Sequence, residues 1–99
     1  MKRLIIVTDS SQITNIERNA LTEFLKAQRW SVWHWFQDLW LVDEVPPSTD
    51  LGELRERIKF VIPSLLSILI LNADGRQDHA GYVPVGSIAW LNEHWQARD

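Results

Sequence analysis

The segment Trp30-Ser-Val-Trp-His-Trp-Phe-Gln-Asp-Leu-Trp-Leu-Val42 constrains the fold most, because it reads as a hairpin that is apolar on both faces. Successive side chains of a strand alternate faces, so odd positions put Trp33 and Trp35 on one side. Even positions put Trp30, Val32 and Phe36 on the other, with His34 between them. A small sheet with helices on only one side should be polar on its other side. Here neither side is polar, so something must cover the second face.

The remaining elements fall around this hairpin. Leu4-Ile-Ile-Val7 is an apolar, β-branched run expected of a central strand. Thr14-Asn-Ile-Glu17 is a capping-box pattern that opens a helix, which the repeat of Ile16, Ala20 and Phe24 beside Leu21 and Leu25 carries to near Gln28. Gln37-Asp38 is the turn between strands at Trp30–Phe36 and Leu39–Val45. After Pro46-Pro47, one of Ser48, Thr49 and Asp50 caps a second helix with Leu51, Leu54, Ile58 and Val61 on its stripe, ended by Pro63. Leu65–Leu71 is a fourth strand, and Asp74-Gly75 turns into a polar loop, Arg76–Gly81. Tyr82–Val85 is a brief extended piece, and Ser87 caps a last helix from about Ile88 to Gln96.

This order is the ferredoxin-like βαββαβ plan plus a C-terminal helix: an α+β fold with a four-stranded antiparallel sheet and two helices on one face. Right-handed crossovers make the first and third strands the central pair. One domain spans 1–99, with 82–99 as its appendage. Covering even ten side chains of the second face would contribute on the order of 15 kcal/mol before entropy is subtracted. Two covers are at hand, the C-terminal segment with Trp90 and Trp95 or a second copy packed sheet to sheet. One short helix cannot shelter four strands. The expectation is both together in a twofold homodimer, with Trp33, Trp35, Trp40, Trp90 and Trp95 as interface or sheet cover.

Composition narrows the chemistry. Ten Lys and Arg against thirteen Asp and Glu give a net charge of −3, whereas a domain that neutralises many phosphates carries a basic excess. Without cysteine there is no disulfide framework, thiolate zinc site or thiol nucleophile. The first apolar run stops at Thr8 and Asp9, too short for a signal peptide or a membrane span, so a cytoplasmic protein with no membrane partner is expected.

Several segments together resemble a known group. They are Val7-Thr-Asp9 at a strand end, the Trp-His-aromatic strand running into Leu-Trp-Leu-Val, the proline-bounded Asp-Leu-x-Glu-Leu-Arg-x-Arg-Ile helix, and Ala89-Trp-Leu-Asn-Glu-His94. From Leu4 to about His94 the chain resembles the CRISPR-associated adaptation subunit that partners the integrase, and SinR-like proteins. The resemblance implies a ferredoxin-like homodimer joined through its sheets, and a metal-dependent nuclease in some members. It also implies that Asp9 stands where that family has a metal-ligating Asp near the dimer axis. Where the family follows this Asp with basic residues, Ser10-Ser-Gln-Ile13 stands here, and the next arginine is Arg18.

Each candidate site has a plainer role beside it. Two copies of Asp9 could hold magnesium, which prefers oxygen ligands, but Asp-Ser-Ser more often caps a turn. His34 has the ordinary pKa of a general base, yet a lone strand histidine is more often packed with one hydrogen bond. His79 with Asp74 and Asp78 matches no metal spacing, and His94 is expected in solvent on the last helix. The tryptophans could stack bases, but basic residues are missing from their strand, so packing is favoured. Arg55, Arg57 and Lys59, with Arg29, make a basic patch that Glu53 and Glu56 interrupt, as a solvated helix face would. The leading expectation is therefore a homodimeric interaction subunit. The alternatives are a magnesium-dependent nuclease using Asp9 across the dimer, and an RNA- or DNA-binding module.

Overall fold

A computed structural model describes residues 1–74, 79 and 81–96. In chain order the elements are β1 (Lys2–Thr8), α1 (Asn15–Ala27), β2 (Ser31–Phe36), β3 (Leu39–Val45), α2 (Leu51–Val61), β4 (Ile68–Asn72) and α3 (Ser87–His94). A 3-10 turn at Ser10–Gln12 joins β1 to α1. The fold is α+β. Its one open sheet is antiparallel throughout and ordered β2-β3-β1-β4, so β1 and β3 are the central pair.

Local chemistry sets the helix ends. The Thr14 hydroxyl accepts the Glu17 N–H at 3.2 Å while the Glu17 carboxylate accepts the Thr14 N–H at 2.9 Å, closing the capping box. The α1 helix ends at Gln28, and Arg29 turns the chain out with a left-handed φ of 65°. Asp50 caps α2 by accepting the Glu53 N–H at 2.9 Å.

One face of the sheet meets both long helices. Leu4 and Ile6 of β1 with Trp40, Val42 and Val45 of β3 pack on Leu21 and Leu25 of α1 and on Leu54 and Ile58 of α2. On the second face Ala73 packs with Leu91 and Trp95, and Ile5, Leu41, Val83 and Trp90 lie against them. Thus α3 covers part of the second face and no more. Leu69 (54%), Leu71 (43%) and Phe36 (46%) remain exposed there.

Two irregularities depart from simple alternation. Three steps of β2, Trp33 to Phe36, face two steps of β3, Leu41 to Leu39. This bulge brings Phe36 round to the side of Trp33, edge-on at 5.0 Å, rather than to that of Val32. Likewise Val42 to Val45 of β3 spans Leu4 to Lys2 of β1, with Glu44 at a left-handed φ of 63°. The extra residue lets Val45 join Val42 in the helix-side core, while Asp43 keeps the opposite face that alternation from Val42 gives it.

Four boundaries and placements differ from expectation. Ile16 is 81% exposed, because α1 presents Leu21 and Leu25 to the sheet and its first turn projects past it. β4 begins at Ile68, since Leu65 folds under the helices instead of extending. Ser87 does not cap α3. Gly86 takes that position with a φ of 92°, no side chain bonds the first turn, and the helix ends at His94. The Asp74-Gly75 turn and the Arg76–Gly81 loop fall largely outside the described residues.

The uneven burial of α1 gives a direct test by urea unfolding. Leu21→Ala is expected to cost about 2–5 kcal/mol, whereas Ile16→Ala shifts stability by less than about 0.5 kcal/mol.

Candidate functional site

The most organised polar site on the second face forms around Asp43, beside the β3 bulge. Asp43 is 1% exposed, and the C-terminal end of α3 lays His94, 9% exposed, over it. His94 Nδ1 lies 3.0 Å from Asp43 Oδ2. His94 Nε2 lies 3.2 Å from Ser31 Oγ, which belongs to the residue paired with Asp43 across β2 and β3. The Trp90 indole N–H donates to the same Oγ at 3.0 Å. A carboxylate only accepts, so neutral His94 carries its hydrogen on Nδ1 and takes the Ser31 hydroxyl proton at Nε2. Every bond in the chain Trp90, Ser31, His94, Asp43 then runs the same way.

Aromatic contacts fix this arrangement. The Trp90 ring lies 4.7 Å from that of His94 and 6.2 Å from that of Trp95. The Arg3 guanidinium, almost wholly buried, stands 5.6 Å from the Trp95 ring centre. Buried charge is tolerated only where partners meet it, so Asp43 and Arg3 need α3 as much as α3 needs the sheet.

None of this network was foreseen from the chain, where His94 reads as a solvated helix residue. One signal was present: Asp43 sits inside an apolar strand between Val42 and Val45, a place where a carboxylate demands a partner.

Other candidates lie elsewhere. Asp9 is exposed and caps the 3-10 turn, accepting the Ser11 N–H at 3.1 Å and the Ser11 hydroxyl at 2.9 Å, both through Oδ1. These bonds, the backbone one foremost, hold its pKa below the ordinary value. Among the described residues no three His, Asp or Glu side chains are grouped to hold a metal. His34 stacks flat on Trp40 at 4.2 Å with Nδ1 3.0 Å from the Leu39 carbonyl, the packed role with one hydrogen bond. Trp40 itself lies fully buried on the helix side, its indole N–H donating to Thr22 of α1 at 2.8 Å. Trp33 is buried and Trp35 is 63% exposed at the β2 bulge. His79 Nδ1 lies 3.1 Å from the Trp95 carbonyl, Asp74 accepts the Arg3 N–H at 2.8 Å, and Asp78 is outside the described residues.

The basic patch disperses. Arg55 pairs with Glu56 at 3.1 Å, Arg57 stands over Phe24 and bonds Gln28, and Lys59 bonds the Leu65 carbonyl. Among the described residues no helix is long and apolar enough to cross a membrane. No protein family, curated protein or solved structure matches the chain.

Two outcomes follow. His94→Ala takes the imidazole from the buried Asp43 carboxylate and is expected to cost about 3 kcal/mol in urea unfolding, whereas Glu93→Ala on the exposed flank of α3 is nearly neutral. Burial pushes the pKa of His34 down, opposed by its bond to the Leu39 carbonyl. As pH falls through the ordinary histidine value of about 6.5, the unfolded chain takes this proton before the folded one. Stability is therefore lost below that value, until the lower folded-state pKa is passed. His34→Gln should flatten this acid limb of the stability profile, and an unchanged slope would contradict it.

Proposed function

We propose that this chain is a ferredoxin-like interaction subunit that works as a homodimer, joined through the part of its sheet that α3 leaves open. The chain order of elements β1-α1-β2-β3-α2-β4, with β1 and β3 central in the sheet, supports the split βαβ reading. The resemblance to CRISPR-associated adaptation subunits and SinR-like proteins suggests the same mode of assembly.

The carrying observation is the exposed sector formed by Leu69, Leu71 and Phe36, with half-buried Val7 and Leu39 beside them. The register sets Val7 between Leu39 and Leu69, so these side chains are neighbours across three strands. Phe36 extends the same row to the outer strand β2. An apolar row of this kind is the usual core of a protein interface. Each large side chain removed from water there contributes roughly 1.5–3 kcal/mol. The tryptophans divide in the same reading: Trp90 and Trp95 cover their own sheet, and the partner covers the remainder. Asp9 then serves as a turn cap, and the acidic net charge gives no electrostatic drive toward nucleic acid.

Sedimentation equilibrium tests the assembly. The chain is expected at twice its monomer mass, and Leu69→Glu, which alters an exposed position, is expected to leave a folded monomer. A wild-type monomer at high concentration would contradict the reading.

A further inference from the structure

The polar chain under α3 has the connectivity of an activated nucleophile: a hydroxyl bonded to an imidazole that a buried carboxylate orients. We propose that Ser31 is a nucleophile, with His94 as its general base and Asp43 as the group that positions His94, and that it accepts the acyl group of small neutral or cationic carboxylic esters.

Three observations carry this. The two spacings, 3.0 Å from Asp43 Oδ2 to His94 Nδ1 and 3.2 Å from His94 Nε2 to Ser31 Oγ, are those of a working proton relay. The Trp90 indole N–H occupies a lone pair of Ser31 Oγ and so turns the hydroxyl hydrogen toward His94. Exposure is graded in the required sense, since Asp43 is sealed and His94 nearly so while Ser31 is partly open on the edge strand β2.

Charge selects the substrate. With Arg3 offsetting Asp43 beneath α3, the exposed Glu93 carboxylate, 3.9 Å from His94 Nε2, makes the mouth of the site unfavourable to phosphates and carboxylates. The half-buried face of Trp90 supplies an apolar wall for the acyl chain.

The reaction is an acyl transfer. Ser31 Oγ bonds to the ester carbonyl carbon as its proton passes to His94 Nε2. The carbon–oxygen bond to the leaving group then breaks, and the leaving alkoxide takes that proton. Water, deprotonated by the same nitrogen, releases the acid and restores Ser31.

The test uses p-nitrophenyl acetate on the full chain, with peptide mass mapping of the acetyl group. Ser31 is expected to be acetylated far faster than the exposed Ser48, Ser64 and Ser67, with a burst of one nitrophenolate per chain. Ser31→Ala should abolish the burst, and His94→Gln should slow it by roughly 100-fold or more. Acetylation of Ser31 no faster than of Ser48, Ser64 and Ser67 would overturn the proposal, and this comparison needs no variant to fold. A full burst in Ser31→Ala would overturn it as well. Sedimentation of the same sample reads assembly separately, so a monomer that acylates at Ser31 defeats only the dimer.

Discussion

A sheet with two apolar faces and too few helices is the constraint on which the rest of this structure depends. Both long helices go to the face of Leu4, Ile6, Trp40 and Val42. What remains must be sheltered by a short terminal helix, and α3 covers Ile5, Leu41 and Ala73 but leaves Leu69, Leu71 and Phe36 exposed. The hydrophobic effect is proportional to area and has no direction, so it cannot say where such a helix docks. Direction comes from the polar bonds beneath it.

Asp43 faces α3 by ordinary alternation from Val42, and the extra residue of β3 decides where Val45 goes. A regular strand would alternate Val42, Asp43, Glu44 and Val45 so that the two valines faced opposite sides. Glu44, in a left-handed conformation at a cost of roughly 1–3 kcal/mol, absorbs the mismatch. Val42 and Val45 thereby share the core while Asp43 faces α3. The local strain lies beside a place where the sheet holds the helix by hydrogen bonds, and Ser31, directly across from Asp43, completes the site.

Much of the architecture was legible because it follows from short-range rules. The capping boundaries at Thr14 and Asp50, the turn at Gln37-Asp38 and the central placement of β1 and β3 all rest on a few adjacent residues and on strand handedness. Alternation misled where bulges intervene, since the chain does not announce an added residue, and Phe36 changed sides for that reason. The His94 network was hidden for a different reason. Ser31 and Asp43 are joined by strand pairing, but His94 lies 63 and 51 positions from them and reaches them only through the docking of α3. Ser31, Asp43 and His94 match no local motif. Only a carboxylate lodged between valines hinted that a distant partner was required.

The central claim is that the row of side chains beyond α3 is hidden by a second copy, and oxidative footprinting at micromolar and millimolar concentrations addresses it most directly. Phe36, Leu69 and Leu71 should lose reactivity as concentration rises, while the more exposed Ile16, Phe60 and Leu66 keep theirs. Reactivity of Phe36, Leu69 and Leu71 that does not change with concentration would contradict the account.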